Sequence, residues 1–122
     1  MTQKEINKML KYWQEQLKLQ DWDVVARVDN YLRDKHGEVN WVFPKKQALI
    51  GLENPDYVNP KLFKSFPMSS ERTVIHELLH LHFVFIDTLV DSDTKELIQP
   101  FLEQAIHNIS GALYKLKTEK EK

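Results

Sequence analysis

Residues 73–83 read TVIHELLHLHF, and the HELLH within them, contributed by His76, Glu77 and His80, constrains the chain more than any other stretch. On an α-helix, residues four apart lie on one face about one turn, ~5.4 Å, along the axis, so both imidazoles reach a single cation. Glu77 points roughly 100° around from His76, where its carboxylate meets a water beside such a cation without being one of its ligands. Val74, Ile75, Leu78, Leu79, Leu81, Phe83, Val84, Phe85 and Ile86 leave almost no polar face, which predicts a central, buried helix. Imidazoles and a carboxylate placed there need partners, and a metal ion supplies one. The bland alternative is two histidines satisfied by backbone or water; a chance HExxH inside an apolar helix makes it the weaker reading.

The chain has no cysteine, which excludes a disulfide framework and thiolate ligation and leaves His and carboxylate as the strong ligands. Seventeen Lys plus Arg against eighteen Asp plus Glu give 17 − 18 = −1, so there is no electrostatic footprint for nucleic acid. A length of 122 residues predicts one domain, residues 1–122. No apolar run approaches the ~20 residues of a membrane span, and the N-terminal stretch lacks the apolar core of a signal peptide. A cytoplasmic protein with no membrane partner is expected.

From the start of the chain, Thr2 and Glu5 form a capping box, and Ile6, Met9, Leu10, Trp13 and Leu17 follow at helical spacing, predicting an amphipathic helix over residues 3–19. Trp22, Val24, Ala26 and Val28 then alternate with Asp23, Val25, Arg27 and Asp29 as in a half-buried strand. After a turn at Lys35-His36-Gly37, Val39, Trp41 and Phe43 share a face of a second strand, and after Pro44 the run Gln47–Glu53 makes a third. Short connections predict an antiparallel meander. His36 reads as a surface residue without a role. Tyr57, Leu62, Phe63 and Phe66, among the prolines of residues 54–67, read as an ordered loop packed on the core. Ser69 or Ser70 caps the metal helix. Asp93 and Glu96 suggest a second capping box, opening a helix to about Leu116 with Leu97, Phe101, Leu102, Ala105, Ile106, Ile109, Leu113 and Leu116 on one face and Pro100 as an interruption. Residues 117–122 are expected to fray.

A catalytic zinc takes three protein ligands and keeps one position open, so His76 and His80 call for a third. Glu103 is the choice: it lies on a separate helix, 103 − 80 = 23 positions beyond His80, beside the inward Leu102 and Ile106. Asp91, Asp93 and Glu96 are weaker candidates. His82 is turned ~200° from His80 and does not share that metal. His107, one turn after Glu103, is read as a substitute ligand, a partner that braces the site, or a donor to an oxyanion, with satisfaction in the core as the bland alternative.

HELLH followed by a loop and a helix carrying Glu103 resembles the gluzincin metallopeptidases, and the small size resembles the minigluzincins and related small bacterial and phage proteins. The resemblance implies a minimal zincin-like α+β fold: an N-terminal helix, a three-stranded mainly antiparallel sheet, the central HExxH helix and a C-terminal helix. It implies zinc (Zn2+) held by His76, His80 and Glu103, with Glu77 as general base toward water in the hydrolysis of a peptide or protein substrate. The run Gln47–Glu53 is the expected sheet edge to which an extended peptide would add. The alternative is a metal-stabilised binding or regulatory module that cleaves nothing. A metal-dependent RNA nuclease of the HGxxH type fails, because Glu77 stands where that motif has glycine and no suitably placed histidine follows.

Overall fold

The computed structural model describes residues 2–32, 35–54 and 69–121. Helix α1 (Gln3–Gln16) opens with the expected capping box: Thr2 accepts from the Glu5 backbone, and the Glu5 carboxylate accepts from Thr2 N. Its stripe of Ile6, Leu10 and Trp13 is buried. The helix ends short of residue 19, because Lys18 adopts a left-handed φ of 61° and turns the chain toward the sheet. His82 Nε2 sits 2.7 Å from the Leu17 carbonyl and satisfies one of the helix's terminal acceptors.

Strands β1 (Asp23–Asp29), β2 (Gly37–Val42) and β3 (Gln47–Glu53) form one sheet in the order β1-β3-β2. β2 and β3 make the expected antiparallel hairpin, but β3 pairs with β1 in parallel, with Val24 opposite Ala48 and Val28 opposite Leu52. The sheet is therefore mixed, and the meander expectation fails. Composition accounts for the inversion. β3 buries Ala48, Ile50, Gly51 and Leu52 almost without interruption, as suits a strand paired on both sides, while β1 and β2 retain the polar alternation of edges. β3 is accordingly not an edge, and the expectation that a peptide would add to it falls with the meander.

Helix α2 (Ser70–His80) is capped by Ser69, whose hydroxyl accepts from Arg72 N. Val74, Ile75 and Leu78 are fully buried, and the helix touches α1, β2 and β3. A 3-10 turn (Leu81–Phe83) and a short helix α3 (Phe85–Leu89) continue it. Helix α4 (Ser92–Lys120) packs along α2. Its cap is Asp91, accepting from Thr94 N, rather than the Asp93–Glu96 box. Pro100 lies within the helix and does not end it.

Only a narrow stripe of α4 faces inward: Ile106 and Ser110 are buried, with Leu102, Leu113 and Tyr114 against the core. Leu97 and Phe101 are 72% and 78% exposed, so the eight-residue face expected from periodicity is too broad. Among the described residues α4 lies chiefly along α2, and a helix covers only the side chains along its line of contact. Residues 117–120 continue the helix instead of fraying. Lys117 pairs with Glu71, which also accepts from Trp13 Nε1 at 2.8 Å, and its ammonium lies 4.6 Å from the Tyr12 ring centroid. This one carboxylate ties α1, α2 and α4 together. No described helix is long and apolar enough to cross a membrane, and the aromatic loop expected over residues 54–67 lies, but for Asn54, outside the described residues.

Candidate metal centre

His76 and His80 stack one turn apart on α2, with ring centroids 5.2 Å from each other and side chains 13% and 16% exposed. α4 crosses them so that Glu103 reaches both: Oε2 is 3.4 Å from His76 Nε2, and Oε1 is 3.1 Å from His80 Nε2. One ligand atom from each of the three residues lies within 4.8 Å of the others, a group that can hold a metal ion. Bonds of ~2.0–2.1 Å at tetrahedral angles put donor atoms roughly 3.3 Å apart, so the observed separations suit a small divalent cation. Burial lowers the pKa of both imidazoles, with Glu103 opposing the shift, and favours the neutral rings that a cation requires. One element of a fully braced site is missing: His76 Nδ1 is buried without a hydrogen-bond partner.

Glu77 is 7% exposed and stands beside the donors. Burial pushes its pKa up to about 8, with Glu103 and Glu38 adding to the rise and Lys35 opposing it. Its neighbour across the cleft is β2. A Cβ added at Gly37 would meet Thr73 Cγ2 at 2.4 Å and Glu77 Cγ at 3.5 Å. Glycine at this position lets the strand press directly on the metal helix.

The three elements enclose a cleft of about 480 Å3. β2 and the residues before it contribute Lys35, His36, Glu38 and Trp41; α2 contributes His76, Glu77 and His80; α4 contributes Gln99 and Glu103.

The structure thus brings together His76, Glu77, His80 and Glu103, and it leaves the weaker carboxylate candidates at the start of α4, away from the donors. His82 turns away to cap α1, as its angle predicts. His107 stays outside the donor cluster: its ring packs edge-on to His76 at 6.4 Å, and its Nε2 is 3.2 Å from Arg72 Nη2.

Two cleft residues escaped the sequence reading. Gln99 donates from Nε2 to Glu103 Oε1 at 3.2 Å; its place one turn before Glu103 was the available signal. His36 lies in the cleft wall with Nδ1 2.9 Å from Glu53 Oε2, and Glu53 N donates to the His36 carbonyl at 2.9 Å. The hairpin register, Val42 opposite Gln47 and Gly37 opposite Leu52, continues to His36 opposite Glu53. Counting outward from the Pro44 turn would have found the pair. No family model, curated protein or solved structure matches the chain.

Proposed function

We propose that this chain is a zinc metallopeptidase of minimal zincin-like build, resembling the gluzincins, with His76, His80 and Glu103 as ligands and Glu77 as general base. The observation that carries this reading is the convergence of three donors from two helices with a buried carboxylate in the same cleft. Two imidazoles and one carboxylate suit zinc better than a hard cation, which prefers all-oxygen sites. When bound, the cation would supply Lewis acidity toward a carbonyl and toward water.

The remaining chemistry belongs to the chain. Glu77 takes a proton from the attacking water and returns it to the amine that leaves as the C–N bond breaks. In the metal-free chain burial raises the pKa of Glu77, so its carboxylate sits in a setting that strengthens it as a base relative to an ordinary glutamate. Gln99 steadies Glu103. With β3 central, the edge that supports extended-peptide binding is β2, whose residues line the cleft.

The test pairs metal analysis with hydrolysis. Wild type supplied with zinc should cleave peptides in a mixed protein digest read by mass spectrometry, and Glu77→Gln should bind zinc equally and cleave nothing. Zinc retention with no cleavage by wild type would favour the binding module that is the alternative. Absence of stoichiometric zinc uptake would remove both readings.

A further inference from the structure

We propose that the outer flank of helix α4 is an interface on which a second copy of this chain lies antiparallel, helix against helix. The inference stands apart from the function proposed above and holds whether or not the cleft hydrolyses peptides.

Three observations carry it. The first is an apolar row that the core does not use. Leu97, Phe101, Ala105, Ile109, Ala112 and Leu116 follow at steps of three and four, which keeps them on one flank of the helix for ~28 Å. Phe101 is 78% exposed, Leu97 72%, Leu116 58% and Ile109 43%, and both alanines are exposed. Single exposed apolar side chains are ordinary, but a contiguous row along five turns marks an interaction surface.

The second is the order of sizes along the row. An antiparallel copy sets Leu97 level with Leu116 of the second copy, Phe101 level with its Ala112 and Ala105 level with its Ile109. All three pairs share a centre within half a residue of position 107. At the two inner levels a large side chain therefore meets a methyl, which lets the helices approach and interdigitate. In a parallel pair each residue would face itself, ring on ring at Phe101 and methyl on methyl at Ala105 and Ala112.

The third is charge. Lys95 is paired with Asp87 and Lys117 with Glu71. The outward charges are then Asp91, Asp93 and Glu96 at the start of the helix, and Lys115 and Lys120 with Glu119 at its end. An antiparallel arrangement brings the acidic end beside the basic one and opposes the two helix dipoles, whereas a parallel one sets like beside like. Glu103 lies two positions after Phe101, ~200° around the helix, so the pairing leaves both metal centres open.

Sedimentation equilibrium of the full chain tests this. It should show a reversible equilibrium between 14.5 kDa and twice that mass. Phe101→Ala should raise the dissociation constant about thirtyfold, the scale of a lost interface anchor. Ala112→Phe should weaken association by setting ring against ring, and the two substitutions combined should recover most of the loss, because a phenyl again meets a methyl. Both positions are exposed, so circular dichroism should not change. Orientation is read by cross-linking, which the absence of native cysteine makes clean. A short bis-maleimide should join Leu97→Cys to Leu116→Cys in a mixture and should join neither variant to itself. A chain that stays monomeric at millimolar concentration overturns the interface. A dimer indifferent to both substitutions places the contact elsewhere and overturns it equally, and cross-links of each variant to itself overturn the antiparallel arrangement.

Discussion

Glu103 Oε1 stands 3.1 Å from His80 Nε2, although the two residues are 103 − 80 = 23 positions apart on different helices. The contact couples the docking of α4 on α2 to the assembly of the donor set, so each donor should be separately necessary. His80→Ala and Glu103→Ala are both expected to lower zinc content from near one per chain to near zero in elemental analysis, whereas Glu77→Gln should keep it. Retention of full stoichiometry by Glu103→Ala would show that the carboxylate only pairs with the two imidazoles.

Gln99 offers a subtler test of the same centre. Its amide donates to one oxygen of a carboxylate whose side chain is 43% exposed and otherwise held only by its contacts with His76 and His80. Groups that orient a ligand without touching the metal typically alter affinity 10–100-fold. Gln99→Leu should weaken zinc binding by about tenfold in a competition titration with a chromophoric chelator. Gln99 is on an exposed stretch of α4, so unfolding midpoints of the metal-free proteins should agree.

The raised pKa of Glu77 gives the metal-free protein a defined pH response. The folded value of about 8 exceeds the ordinary 4.5, so between those limits the unfolded chain releases a proton that the folded chain retains. Stability from this group is complete below pH ~4.5 and declines as pH rises toward 8. A shift of this size corresponds to roughly 5 kcal/mol at most. His76 and His80 act in the opposite sense: their lowered pKa values make the folded state lose stability as pH falls below the usual histidine range. The difference between wild type and Glu77→Gln isolates the first effect. With chelator present, urea unfolding should show wild type losing stability relative to the variant as pH goes from 5 to 8. A constant difference across that range would mean that Glu77 is ionised throughout.

Much of the donor set was readable because it depends on helical spacing alone: His76 to His80 is one turn, and Glu103 sits at the border of an inward stripe. What escaped depends on pairing. The strand order β1-β3-β2 turns on which run tolerates two neighbours, and the near-continuous burial of Ala48, Ile50, Gly51 and Leu52 was the cue. The His36–Glu53 contact follows only once the hairpin register is counted, so His36 viewed alone looked like a turn residue. The width of the α4 face cannot be obtained from periodicity, since Leu97 and Phe101 are apolar whether or not a neighbour covers them.

Glu71 shows how the three helices depend on one partly buried acid. Its Oε2 accepts from Trp13 Nε1 and pairs with Lys117, whose side chain is 21% exposed. Glu71→Ala would leave the indole N–H and the ammonium without that acceptor, costing about 1–3 kcal/mol. Lys117→Met keeps the stem over Tyr12 and Trp13 and removes only the charge, so it should cost less. Denaturant unfolding of the two variants ranks the two contributions; equal losses would locate the whole effect in the ion pair.

The contact between Gly37 and Thr73 decides how closely the cleft's strand approaches its helix. Any Cβ at residue 37 would come within 2.4 Å of Thr73 Cγ2 and 3.1 Å of the Gly51 carbonyl oxygen. The first neighbour is a methyl on a β-branched side chain that is 2% exposed and hydrogen-bonds through Oγ1 to the Ser69 carbonyl, so it has little room to rotate away. Gly37→Ala should therefore destabilise by about 1–3 kcal/mol, the usual cost of overpacking. Thr73→Ser deletes the offending methyl and keeps the hydroxyl. Alone it should cost about 1 kcal/mol, but combined with Gly37→Ala it should recover more than half of the loss, which a double-mutant cycle of unfolding free energies measures directly. Additive losses would mean that the strand yields instead of the side chain. In that case β2 would move off Glu77, and the pH dependence of Gly37→Ala should weaken toward that of Glu77→Gln, because the wall that keeps Glu77 from water would have opened.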